Sequence, residues 1–179
     1  DDKGKTALDF LKSSKIKHKI FVDDTRPTTF KTRYMVNNQK IFRVSRLKDH
    51  SITSLLEKNI LNEIIENSTD YQGILISDFV YGLITPNIIK TIHQFSEKFN
   101  IPIFADVQSS SQYGNILKFK NVELLCPNER EARIALANND DSLENIAQQI
   151  LHKSKSKNLI LKLGANGFIS YDVKKNGYI

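Results

Sequence analysis

After residue 50 the chain switches repeatedly between two hydrophobic periods, and this constrains its fold more than any other feature. Ser51 to Asn67 sets Ile52, Leu55, Leu56, Ile60, Ile64 and Ile65 at helical spacing, with Ser51 or Asp49 available as cap. Gly73 to Asp78 is a near-continuous apolar run, the pattern of a strand buried on both faces. Thr85-Pro86 opens a helix that runs to about Lys98, with Thr as cap and Pro in the first turn. Ile101 to Asp106 and Val122 to Cys126 read as strands, the second stopping at Pro127-Asn128. Glu129 to Ala137 and Ser142 to Lys153 read as helices, and Asn158 to Leu163 as a strand. Gly164-Ala165-Asn166-Gly167 then turns the chain into Phe168 to Tyr171. Strands alternating with helices predict an open, mostly parallel α/β sheet with helices on both faces. Ligands bind such sheets at the carboxyl ends of the strands. Those ends carry Asp78, Asp106 with Gln108, Asn128 with Glu131, and Lys162 with Gly164.

Ahead of this alternation, Thr6 to Ser14 reads as a helix and Lys19 to Val22 as a short strand. Residues 24–46 have a different pattern, alternating polar and apolar, with no acidic residue from Thr25 to Arg46. Asn37-Asn38 sits at the middle, and Asn tolerates the positive φ that a two-residue hairpin turn requires. Folding there pairs Val36 with Gln39, Met35 with Lys40, Arg33 with Phe42 and Lys31 with Val44. Lys31, Arg33, Lys40 and Arg46 are then expected on one face, and Phe30, Tyr34 and Ile41 on the other. The ribbon is either a cationic clasp over an anionic ligand or a hairpin whose charges are merely solvated. The domain reading is a core of residues 1–23 and 47–179 with a β-hairpin lid at 24–46.

Charge narrows the partners. The 179 residues carry a net +6 and a pI near 9.3, which favours phosphates, nucleic acid or acidic lipid. Binding of single strands calls for aromatics among the cations, and only Phe42 is expected there, which argues against nucleic acid. The single cysteine, Cys126, excludes an internal disulfide framework and a cysteine-rich zinc site, and fits a reducing cytoplasm. No apolar run approaches the roughly 18–20 residues that span a bilayer, and the N-terminus lacks a signal-peptide core. Neither Gly-x-x-x-x-Gly-Lys-Ser/Thr nor Gly-x-Gly-x-x-Gly occurs. His18, His50, His93 and His152 have no metal-ligand spacing, and Ser109-Ser110-Ser111 lacks a nucleophile elbow. Two constellations remain open. Asn128 and Glu131 either present hard oxygens toward Mg²⁺ held through water, or form a capping box. Lys162 to Gly167 is either a nucleotide-side loop or a tight turn.

In this order the pieces resemble the ribokinase-like (PfkB) family of sugar kinases, most closely the kinase module of bacterial heptose-7-phosphate kinases. The likeness rests on Arg26-Pro27-Thr28-Thr29-Phe30-Lys31-Thr32-Arg33 and on the ribbon Asn38-Gln39-Lys40-Ile41-Phe42-Arg43. It extends through Ser77-Asp78-Phe79, Pro127-Asn128-Glu129-Arg130-Glu131-Ala132 and Leu161 to Gly167. The resemblance implies transfer of the γ-phosphate of ATP to a hydroxyl of a sugar or sugar phosphate. It implies Lys31, Arg33, Asp78, Asp106 and Gln108 at the sugar, and Asn128, Lys162, Gly164 and Gly167 at the nucleotide. It further implies Asn128 and Glu131 as organisers of Mg²⁺ through water, and a homodimer formed through the lid with Phe30, Tyr34 and Ile41 toward the second subunit. Tyr81 and Gln108 stand where heptose kinases carry lysines, which argues for a less anionic or different sugar. The family's Gly-Ala-Gly-Asp segment, which carries its catalytic base, and its N-terminal glycine pair do not occur. The expectation is a truncated kinase, inactive alone. The alternative is a non-catalytic ligand-binding or interaction domain on a kinase-like scaffold.

Overall fold

The computed structural model describes residues 1–66, 71–108, 114–172 and 177–178. Ser109-Ser110-Ser111 lies outside the described residues. Five helices and eight strands follow one another among them: α1 (Asp2–Ser13), β1 (Phe30–Val36), β2 (Gln39–Arg46), α2 (Ser54–Glu66), β3 (Ile74–Asp78), α3 (Pro86–Phe99), β4 (Ile103–Val107), β5 (Leu124–Leu125), α4 (Glu129–Leu136), α5 (Leu143–Ser154), β6 (Asn158–Lys162), β7 (Phe168–Asp172) and β8 (Gly177–Tyr178). Strands β3 to β8 form one sheet in sequence order, while β1 and β2 form a separate hairpin. Pairs β3–β4, β4–β5 and β5–β6 are parallel; β6–β7 and β7–β8 are antiparallel.

Parallel neighbours need crossovers, and the helical patterns between the strands supply them. In β4, Ile103, Ala105 and Val107 are buried while Phe104 and Asp106 are half-buried, so the core lies on one face of the sheet. Leu125, Leu159 and Leu161 continue that face, and α3 and α5 cover it with Ile88, Ile92, Ile146 and Ile150. Each such side chain contributes about 1.5–3 kcal/mol on full burial. Strand β3 differs from its expected burial on two faces. It is the outer strand of the described sheet, and Leu75 is 74% exposed.

Helix starts follow local chemistry. Thr85 caps α3 by accepting the Ile88 N–H at 3.2 Å, and Pro86 takes the first turn, where a missing N–H costs nothing. The Thr85 hydroxyl and the Asn87 amide both donate to the carboxylate of Glu57 on α2, tying the two helices together. α2 begins later than its periodicity suggests, and its cap is neither Ser51 nor Asp49. The Thr53 hydroxyl accepts the Leu56 N–H at 3.3 Å instead. α1 begins earlier, because Asp1 accepts the Gly4 N–H and supplies a cap.

In the hairpin, Asn37 and Asn38 take φ of 46° and 65°, as a two-residue turn requires. Val36 pairs with Gln39 and Met35 with Lys40 as expected. Beyond them a bulge at Ile41 shifts the register, so Tyr34 pairs with Phe42, Arg33 with Arg43 and Lys31 with Ser45. This corrects the expected faces. Lys31, Arg33, Lys40 and Arg43 share one; Phe30, Tyr34, Phe42, Val44 and Arg46 share the other. Tyr34 and Phe42 stack there with ring centroids 4.2 Å apart. Lys19 to Val22, expected as a strand, pairs with no strand among the described residues and is irregular.

Candidate active site

The polar groups expected at the strand ends do gather there, but in two clusters rather than one. Register explains the division. Asp78 pairs with Val107, and Asp106 with Ser77, so the two carboxylates project to opposite faces of the sheet. Asp78 lies on the core face and is 2% exposed. A buried carboxylate needs partners. Oδ1 accepts the Val80 N–H at 2.8 Å, and Oδ2 meets the ammonium of Lys118, from a 3-10 turn at Ile116–Lys118.

Beyond Asp78 the chain carries Phe79 and Tyr81, whose rings stack with centroids 6.4 Å apart. The hairpin reaches this pair. Lys31 Nζ lies 5.5 Å from the Phe79 ring centroid and 5.1 Å from that of Tyr81, within cation–π range. Lys31, Asp78, Phe79 and Tyr81 line a cleft of about 820 Å³ that runs on between α2, α3 and β3. Arg33 shares the hairpin face of Lys31, but is exposed farther along the strand. Gln108 is exposed, and its N–H is bound to the Asp78 carbonyl at 2.8 Å.

The second cluster spans the ends of β4, β5 and β6. Lys162 Nζ contacts Asp106 Oδ1 at 2.8 Å. Cys126 is half-buried beside them, and its thiol is pushed up mainly by burial and then by the Asp106 charge, with Lys162 opposing. Asn128 bridges to Lys162 in the parallel sense, and the Lys162 N–H reaches the Pro127 carbonyl. Gly164 and Gly167 turn the chain after β6 at φ of 64° and 84°, with open space where a Cβ would stand.

Comparison with known proteins gives the family and the fold. The model of the pfkB family carbohydrate kinases matches residues 1–179. The chain belongs to the pfkB family of carbohydrate kinases. Over 152 residues it is 29% identical to the bifunctional protein HldE of a Nitratiruptor species, covering 83% of this chain and 31% of that protein. Over 143 residues it is 31% identical to the bifunctional protein HldE of Campylobacter jejuni, covering 79% and 28%. This pfkB-family chain thus spans less than a third of the length of these curated relatives. Ribokinase from Giardia lamblia has the same fold, with a TM-score of 0.74 at 15% identity, over 100% of this chain and 58% of that one. Phosphofructokinase-2 from Escherichia coli overlays with a TM-score of 0.57 at 17% identity, over 77% and 45%. The open, mostly parallel α/β sheet is therefore that of the ribokinase-like kinases.

Within the pfkB-family chain, the short-range features read at the strand ends both form. Asn128 accepts the Glu131 N–H and Glu131 Oε2 accepts the Asn128 N–H, each at 2.8 Å, so the capping box forms. Glu131 is 4% exposed. No group of three or more His, Cys, Asp or Glu side chains gathers as a metal cage among the described residues. Hard oxygens held in a cap suit a cation only through intervening water and phosphate. The tight turn at Gly164–Asn166 forms as well, beside Lys162. Sequence reasoning missed Lys118 and the pairing of Lys31 with two aromatic rings. A buried Asp at the end of β3 signals that a cation must be near, but not which one.

Proposed function

We propose that this pfkB-family chain binds ATP and a sugar or sugar phosphate, as part of a kinase that moves the γ-phosphate of ATP to a sugar hydroxyl. The observation that carries this reading is Lys31 over Phe79 and Tyr81, beside Asp78, at the carboxyl ends of the strands. The hairpin of residues 24–46 acts as a lid on this cleft. Aromatic faces suit the C–H side of a sugar ring, and Lys31 supplies charge toward an anionic or hydroxyl group. Asp78 keeps acceptor capacity for a sugar hydroxyl, because a carboxylate offers about four lone-pair sites. Arg33 and Gln108 act at the outer edge of the same acceptor, and Asp106 acts from the second cluster, through Lys162.

The nucleotide lies across the ends of β5 and β6. Asn128 and Lys162 approach its phosphates, and Gly164 and Gly167 let the backbone come close. Asn128 and Glu131 would hold a divalent cation such as Mg²⁺ through water, and that cation would supply neutralisation of phosphate charge. Phosphoryl transfer needs positioning and charge neutralisation more than covalent chemistry from the protein. Lys162 serves that end. No residue of this chain is assigned as the base that takes the acceptor's proton, since Gly-Ala-Gly-Asp is missing from the sequence. The chain alone is therefore expected to bind without efficient turnover. The apolar hairpin face of Phe30, Tyr34, Phe42 and Val44 is the surface through which two copies pair, in a reducing cytoplasm. The reading is tested by titrating the chain with MgATP and a panel of sugars and sugar phosphates. Saturable binding of both classes supports it; failure of every sugar to bind defeats it.

A further inference from the structure

Arg26 opens the sequence motif Arg26-Pro27-Thr28-Thr29 and stands at the wall of the cleft, yet its guanidinium is engaged by the protein itself. Its guanidinium is occupied on every side. Nη1 donates to the Tyr81 carbonyl at 2.5 Å and Nη2 to the His50 carbonyl at 2.6 Å. Nε makes an ion-pair contact with Asp23 Oδ2 at 2.6 Å, out of line for a hydrogen bond. The side chains of Arg26 and Asp23 are only 13% and 10% exposed. Three separate stretches thus meet on one planar group: the entry to the hairpin at Asp23, its exit at His50, and the loop after β3 at Tyr81.

Other contacts brace the same junction. Thr25 Oγ1 donates to Asp23 Oδ1 at 2.6 Å and lies 2.9 Å from His50 Nε2, while Lys48 Nζ donates to the Thr25 carbonyl at 3.0 Å. The Ile52 N–H reaches the Gly82 carbonyl at 3.0 Å. Gly82 sits at φ 76°, and a Cβ there would fall 2.1 Å from the His50 carbonyl oxygen, so only glycine lets the two backbones approach. A guanidinium suits this place because its fork has fixed geometry. An ammonium is a single point charge and cannot span two carbonyls and a carboxylate in one plane.

We propose that Arg26 is a positioning residue: it fixes both roots of the hairpin against the loop after β3, and so sets Lys31 over the Phe79–Tyr81 pair. Its consequence for sugar binding rests on the function proposed above, whereas the placement of Lys31 does not. Aromatic rings shift the resonance of a group held over their faces, so Lys31 reports its own position. In the chain labelled with ¹³C at lysine, the Lys31 ε-methylene signal is expected upfield of a free lysine. Arg26→Lys is expected to remove most of that shift. Lys118, in the 3-10 turn that packs on the core, has its Nζ 5.2 Å from the Phe119 ring centroid and is expected to keep its own shift, which confirms a folded core. A Lys31 signal unchanged in Arg26→Lys overturns the proposal. Should that variant fail to fold, Asp23→Asn decides. It is expected to weaken the Lys31 shift, and an unchanged shift overturns the proposal. In sugar titrations, Arg26→Lys is expected to weaken binding about tenfold, the worth of one charge-assisted hydrogen bond, and MgATP binding about twofold or less. Equal losses for sugar and nucleotide contradict a role confined to the hairpin. If the parent chain binds no sugar, the kinase reading fails while the resonance test still decides the role of Arg26.

Discussion

The ammonium of Lys118 meets the carboxylate of Asp78 across the carboxyl end of β3. Asp78 is almost wholly buried, whereas the Lys118 side chain is 29% exposed. Removing the cation strands a charge on the core face; removing both does not. Lys118→Met is expected to destabilise the chain by about 1–3 kcal/mol, less than a fully buried pair because Lys118 stays partly in solvent. The double variant with Asp78→Asn is expected to recover part of that loss. Urea unfolding of the four members of the cycle measures it. A double variant as unstable as the sum of the singles shows that the pair is not coupled.

Glu57 carries a pH dependence. The Thr85 hydroxyl first, and then the Asn87 amide, hold its carboxyl below the ordinary value of 4.5. A group whose value is depressed in the folded state adds stability above the unfolded value, and that stability is lost as pH falls through the folded one. Its contribution is therefore complete at neutral pH and disappears below about pH 4.5. Thermal unfolding of Glu57→Gln across pH 3–7 is expected to fall less steeply on the acid side than that of the parent. Parallel curves rule out the contribution.

Cys126 reports on the second cluster. Burial and Asp106 raise its thiol above the ordinary value of 9.0, while Lys162 pulls it down. The thiolate is the reacting form, so alkylation by iodoacetamide near pH 8 is expected to be slower than for a free cysteine. Asp106→Asn is expected to speed it, and Lys162→Met to slow it further. Mass spectrometry of timed samples gives the rates. A slower reaction in Asp106→Asn contradicts the arrangement.

How much of this was legible in the sequence depended on whether the cause was local. The Asn37-Asn38 turn, the Thr85-Pro86 start and the Asn128–Glu131 box are short-range chemistry, and each formed as its residues dictate. The alternation of periods after residue 50 gave the sheet. Register was not legible. A single bulge residue, Ile41, moved Phe42 and Arg46 away from their expected hairpin positions. The pairing of Asp78 with Val107 placed Asp78 and Asp106 on opposite faces, although both close a strand. Lys19 to Val22 has a strand's composition but pairs with no strand among the described residues, and propensity cannot supply a neighbour. Lys118 and Arg26 act through contacts distant in sequence, which no spacing rule reveals.

The central claim is that Lys31 and the cleft beneath it receive a sugar. Calorimetric titration of the parent chain and of Lys31→Ala with the same panel of sugars and sugar phosphates, each repeated with MgATP, tests it directly. At least one sugar or sugar phosphate is expected to bind the parent and to bind Lys31→Ala roughly tenfold or more weakly, the loss of one charged contact, with MgATP affinity held. Equal sugar affinity in the two proteins, or no sugar binding in the parent, contradicts the account.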